Sequence, residues 1–154
     1  MTFASIIDTI KFDPDFDPSN GFKCRRISFF DHFLSNTEAD SCTFIFYRLA
    51  IENGSLPDFF VAENRLLSLW ARLAISGKTY GMKDKAFEMQ SLHDVLSLGS
   101  NVIRELSGHP VYFSSFNVIW EPASDLTHLL WIPKDQSWTQ IESLVQEADL
   151  HLLD

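Results

Sequence analysis

Residues 111–132 read VYFSSFNVIWEPASDLTHLLWI, and this stretch decides the fold class. Two runs rich in β-branched and aromatic residues, Val111 to Trp120 and Leu126 to Ile132, flank the polar loop Glu121 to Asp125. The pattern predicts a β-hairpin whose second strand ends at Pro133. Because hairpin strands are antiparallel, it favours an antiparallel sheet over a doubly wound parallel one.

Helical patterns lie on both sides of this hairpin. Downstream, a capping box at Ser137 to Gln140 predicts a helix that ends near Asp149. Upstream, Ser55 is the expected N-cap of a helix that runs to Ser76 and stops at Gly77. Its buried face is predicted from residues spaced by three and four, namely Phe59, Ala62, Leu66, Trp70 and Leu73. Two shorter helical pieces are expected between Asp84 and Leu96 and between Val102 and Ser107, separated by Gly99-Ser100-Asn101.

Further strands and helices are expected nearer the N-terminus. The run CTFIFYRLAI, residues 42–51, predicts a strand that ends at Asn53-Gly54, and residues 22–30 predict another. Residues 31–41 are polar and predict a loop. Residues 3–11 place Phe3, Ile6, Ile7 and Ile10 on one helical face. The element order predicts a single α+β domain over residues 1–154, with a mainly antiparallel sheet of about four strands and a cluster of helices.

Composition is that of a folded protein with an aromatic-rich interior. The 154 residues include 14 Phe, 4 Trp and 3 Tyr, which is enough to close one hydrophobic core. The two cysteines, Cys24 and Cys42, fit free thiols in a reducing cytoplasm better than a disulfide framework. We expect no signal peptide and no membrane span, because there is no basic start and no apolar run of the required length.

Acidic residues outnumber basic ones by 21 to 12, and the excess lies at the two ends of the chain. Residues 1–20 carry one Lys and four Asp, a net of −3, and residues 121–154 carry one Lys and seven acids, a net of −6. The residues between them are neutral overall. Such a charge argues against nucleic-acid and anionic-membrane partners, and for a basic protein partner or for solubility alone.

No motif in the sequence predicts a cofactor or a metal ion. Ser76 to Thr79 resembles the end of a phosphate-binding loop, but Arg72 stands where the loop needs its first glycine. Asp13, Asp15 and Asp17 alternate like calcium ligands, but Pro18 replaces the glycine that the turn requires. The five histidines are isolated in sequence, and none has zinc-ligand spacing with another His or Cys.

We therefore expect a non-enzymatic protein that recognises a basic protein partner through an acidic, aromatic-studded surface. The most concrete form is a bacterial immunity protein that neutralises a toxin domain, since an acidic inhibitor is steered towards a basic toxin. The predicted contacts are Asp13, Asp15, Phe16, Asp17, Glu142, Glu147 and Asp149. Two alternatives stay open: a small enzyme whose site is assembled by the fold around His93, His109 or His128, and a structural subunit of a larger assembly. Either a monomer or a small homo-oligomer fits the composition.

Overall fold

The computed structural model describes residues 21–154, which form seven strands and five helices. The strands are β1 (Phe22–Ser28), β2 (Thr79–Lys83), β3 (Lys85–Glu88), β4 (Val111–Phe113), β5 (Val118–Glu121), β6 (Thr127–Pro133) and β7 (His151–Leu153). The helices are α1 (Asn36–Ser41), α2 (Tyr47–Glu52), α3 (Leu56–Ile75), α4 (Leu92–Ile103) and α5 (Thr139–Glu147). The predicted amphipathic segment 3–11 and the Asp-rich loop that follows it lie outside the described residues.

The strands form one sheet in the order β3-β2-β4-β5-β6-β1-β7, and every neighbouring pair is antiparallel. β1 and β6 are the longest partners, with Phe22 opposite Pro133 and Ser28 opposite Thr127. The α+β class and the antiparallel sheet are therefore confirmed. The count of about four strands was wrong, because the described residues supply seven.

The main core lies between one face of the sheet and helices α3, α4 and α5. At its centre the buried Trp70 indole makes edge-to-face contacts with Phe113 and Trp120, at centroid distances of 5.1 and 5.0 Å. Its Nε1–H donates to the Val95 carbonyl at 2.9 Å, so the ring is held on three sides. Gly99 of α4 packs directly on this ring. The close contact with the ring explains why residue 99 is a glycine, which has no side chain. The helix continues through this residue, although the sequence predicts a break there.

The other face of the sheet carries a second, smaller apolar cluster. Phe22, Tyr112 and Ile119 are its buried members, and the half-buried side chains packed around them include Tyr80 and Trp131. All the residues of this cluster that the structure describes lie on strands. The two faces of the sheet thus differ, since the described helices contribute their buried residues only to the first.

The predicted strand at residues 42–51 was wrong, because Tyr47–Glu52 is helix α2 and residues 43–46 form turns. Phe44, Tyr47 and Ala50 are three residues apart and contact the main core, which is helical rather than strand spacing. The helix ends at Asn53, and Gly54 follows with a φ of +67°. Aromatic content alone gives no backbone preference strong enough to override this packing.

Several element boundaries also differ from the prediction. Residues 79–83 and 85–88 form strands joined at Asp84, whose φ of 52° is the left-handed turn conformation that Asp tolerates. The run from 111 to 120 is two strands separated by a turn at 114–117. Residues 36–41 form α1 instead of loop. The predicted helices at 55–76 and 137–149 are present as α3 and α5. The capping box expected at Ser137 to Gln140 was wrong, because Trp138 is the N-cap and its side chain makes no capping hydrogen bond.

Candidate functional site

The three predicted C-terminal contact residues each form an ion pair within the described chain. Glu142 accepts a hydrogen bond of 2.7 Å from the Arg25 guanidinium of β1. Asp149 lies 3.0 Å from Arg65 of α3. Glu147 forms an ion pair with Arg72 of the same helix. Arginines from the supposedly neutral middle of the chain thus balance these carboxylates.

These pairs attach the C-terminal segment to the rest of the fold. Arg25 also donates to the Leu152 carbonyl at 3.1 Å and lies 2.8 Å from the Asp154 carboxylate, so one side chain holds both α5 and β7. A partner approaching Glu142, Glu147 or Asp149 would meet an arginine beside each carboxylate. The other four predicted contacts, Asp13, Asp15, Phe16 and Asp17, lie outside the described residues.

The three histidines of the enzyme alternative lie apart from one another. His93 is on the surface of α4 beside Asp94, at 3.6 Å. The His109 Nδ1 accepts from the Met82 amide at 3.3 Å, and His128 of β6 is fully buried. Within residues 21–154 none of the three is hydrogen-bonded to a Ser, Thr or Cys side chain.

His128 is a structural core histidine by its environment. Its Nδ1 accepts from the Ala123 amide at 3.1 Å, and its ring packs on Trp120 at 5.6 Å. Burial lowers the pKa of this imidazole to about 4, so it is neutral in the folded protein at neutral pH. The part of the chain that the structure describes also contains no group of three or more His, Cys, Asp or Glu side chains suited to a metal ion.

A different surface brings together an exposed aromatic ring and carboxylates that have no arginine or lysine partner. We call it the α1 surface and define it by Asp31, Phe33, Glu38, Asp40 and Asp125. Phe33 and Asp125 line a groove of about 270 Å³ between the 29–45 segment and the β5–β6 loop. Asp31 and Glu38 contact His32 of the same lining. Asp40 follows Ala39, which also lines the groove. Phe33 is 53% exposed, more than any other aromatic side chain of the described residues.

The backbone that presents Phe33 is fixed at both ends. On the β1 side, the Phe29 amide donates to the Leu126 carbonyl at 3.1 Å, and the Phe30 amide donates to the Ser28 hydroxyl at 3.1 Å. On the α1 side, Ser35 and Glu38 form a reciprocal capping box. The exposed ring is therefore held on an ordered loop, which reduces the entropy lost when a partner binds.

The carboxylates of the α1 surface differ from those at the C-terminus in their partners. Asp31 and Glu38 contact the two ring nitrogens of His32 at 2.6 and 2.8 Å. Among the described residues, Asp40 and Asp125 form no ion pair with any side chain. The one guanidinium lining the groove is Arg26, which stacks on the Phe33 ring at 5.6 Å. The surface thus keeps a negative excess.

Hydrogen bonds set the protonation of this surface. The Ser35 amide and then His32 lower the pKa of the Glu38 carboxyl to about 2. The hydrogen bond from His32 lowers the pKa of Asp31. The same contacts, led by that to Asp31, raise the pKa of His32. Both carboxylates therefore stay ionised across the range in which most proteins are folded.

The sequence does not predict this surface, because the polar residues 31–41 indicate a loop. One signal was present: Ser35-Asn-Thr-Glu38 is the capping-box pattern that was used at residues 137–140. Comparison with known proteins gives no match, since no family model, no curated protein and no solved structure aligns with the chain. In the described residues, no helix combines the length and apolarity that crossing a bilayer requires.

Proposed function

We propose that this protein binds a basic protein partner. In its most concrete form it is a bacterial immunity protein that acts in the cytoplasm and neutralises a toxin domain. One observation carries the proposal: the α1 surface combines an exposed aromatic ring with four carboxylates that form no ion pair with a lysine or arginine of the described residues, against the single guanidinium of Arg26. Net charge of −9 over the whole sequence points the same way.

The chemistry of the α1 surface suits such a partner in two ways. An exposed, ordered aromatic side chain is the kind of residue that fills a pocket at the centre of an interface. The carboxylates of the same surface, such as Asp40 and Asp125, attract a basic surface and raise the rate of encounter. Phe33 would then supply affinity and the carboxylates would supply association rate.

The predicted contact residues are not equally strong candidates under this proposal. Glu142, Glu147 and Asp149 are weaker candidates than the α1 surface, because each already has an arginine partner. Asp13, Asp15, Phe16 and Asp17 stay proposed contacts that the described residues do not address.

The test uses a defined partner. If the gene directly follows one for a large secreted protein with a basic C-terminal domain, that domain is purified and its binding is measured by biolayer interferometry. We expect Phe33→Ala to weaken binding by about 30-fold through faster dissociation, the loss of a typical aromatic anchor. We expect Asp40→Asn with Asp125→Asn to slow association, and the difference from wild type to vanish at high salt.

Matched controls remove charge elsewhere. Asp135→Asn removes one exposed carboxylate at the far end of β6, and Glu147→Gln removes one that has an arginine partner. Both should leave association almost unchanged. If Asp135→Asn slowed association as much as Asp40→Asn, the association rate would depend on total charge and not on the position of the charge. The α1 surface would then not be the binding surface. Tight binding that is unaffected by Phe33→Ala would place the interface elsewhere.

A further inference from the structure

The second face of the sheet is apolar over five neighbouring strands. Phe22 of β1, Ile119 of β5 and Tyr112 of β4 form its buried centre, with Trp131 of β6 and Tyr80 of β2 packed against them. Cys24 lies on the same face, since it is two residues from Phe22 and directly opposite Trp131 in the register. This face points away from the core that the described helices fill.

The described side chains that pack against the buried centre of this face all come from strands. Tyr112 and Ile119 are 0% exposed and Phe22 is 3% exposed. Burial also raises the pKa of the Tyr112 phenol to about 12. No helix within residues 21–154 packs on this cluster, and half-buried members such as Trp131 leave apolar surface on this side of the sheet.

We propose that the second sheet face is a docking surface for the chain's own residues 1–20. The segment is joined to the sheet at Gly21 and Phe22, so it begins beside a buried member of the apolar cluster. Its sequence places four large apolar residues on one side of a predicted helix: Phe3, Ile6, Ile7 and Ile10. This inference does not depend on the proposed function.

The segment is long enough to reach the whole cluster. β2 lies four strand positions from β1, a distance of about 19 Å at the usual spacing between strands. Residues 12–20, if extended, span up to about 30 Å. The apolar residues at 3–11 can therefore reach Tyr80 on β2 as well as Ile119 and Trp131 near β1.

The two free cysteines allow a direct test in the full-length chain. Cys24 lies on the docking face, whereas Cys42 is the C-cap of α1 and serves as an internal reference. The rate of maleimide labelling at each cysteine is measured by peptide mass spectrometry for wild type and for Ile6→Asp with Ile7→Asp. The matched control, Ser5→Asp with Thr9→Asp, adds the same charge to the polar side of the segment.

We expect Cys24 to label about tenfold faster in the Ile6/Ile7 variant, with Cys42 unchanged and the control like wild type. An unchanged rate at Cys24 would overturn the proposal. Faster labelling at both cysteines would mean global unfolding, and the decision then rests on the wild-type protein. There, methyl–aromatic NOEs from Ile6 or Ile7 to the Trp131 ring support docking, and their absence refutes it. Protection of Cys24 that disappears on dilution would assign the face to a second copy instead.

Discussion

The substitution Gly99→Ala in α4 should have two opposing effects on the stability of the protein. Alanine is favoured over glycine in a helix interior by about 1 kcal/mol, so α4 alone would gain stability. A Cβ at this position, however, would lie 2.8 to 2.9 Å from three atoms of the Trp70 indole. The indole cannot move away easily, because Val95, Phe113 and Trp120 hold it.

Overpacking of this kind costs about 1–3 kcal/mol, and the fixed indole puts this site in the upper part of that range, so the cost outweighs the gain in helix propensity. We expect a net loss of about 1–2 kcal/mol in the free energy of unfolding, and a fall in Tm of roughly 3–6 °C for a chain of this size. Urea denaturation followed by far-UV circular dichroism measures the first quantity. Ser97→Ala, an exposed change on the same helix, is the control and should stay near wild type.

A second background makes the reasoning refutable by sign. In Trp70→Phe the smaller ring leaves room for the added methyl group, so Gly99→Ala should now stabilise the protein or leave it unchanged. If Gly99→Ala stabilised the wild-type protein by about 1 kcal/mol, helix propensity would have won and the indole would not be fixed as described. If it destabilised both backgrounds equally, the clash with Trp70 would not be its cause.

Three further outcomes follow from the buried and paired groups. His128 has a pKa of about 4 when folded and an ordinary value near 6.5 when unfolded, so stability is full above pH 6.5 and falls by roughly 3 kcal/mol as the pH drops to 4. Urea titrations across this range should show that step, and His128→Gln should lack it. Arg104→Met leaves the Glu63 carboxylate buried without its bidentate partner and should cost about 3 kcal/mol, most of which Glu63→Leu in the same chain restores. Arg25→Gln releases the C-terminal strand, so hydrogen exchange of residues 151–153 should accelerate while that of β4 stays unchanged.

The sequence predicts best those elements whose signal is local and repeated. Helix α3 shows buried residues at regular helical spacing, and it appears within one residue of the predicted bounds. The strand before Pro133 is found for the same reason. β7 has no such signal, since its three residues become a strand only through pairing with β1 and through the hold of Arg25. Long-range contacts of this kind leave no pattern in the chain.

The candidate site also depends on long-range contacts that the sequence does not reveal. Charge counting finds an acidic C-terminus, but it cannot reveal that Arg25, Arg65 and Arg72 come from distant elements to meet it. The polar composition of residues 31–41 also predicts that His32 and Glu38 lie in a loop, although the Ser35 capping box is visible in the sequence. The capping box can therefore be recognised from the sequence, whereas the pairing of the C-terminal carboxylates with distant arginines cannot.

These pairings change how the net charge should act on a partner. An ion pair is a dipole whose field falls off faster than that of a single charge, so Glu147 beside Arg72 steers a distant cation only weakly. Asp40 and Asp125 carry no such partner among the described residues, and their field extends further into solvent. Because steering acts before contact, salt-dependent association should follow these unpaired carboxylates more closely than the total charge. The asymmetry between Asp40→Asn and Glu147→Gln follows from this, since the two changes remove the same formal charge.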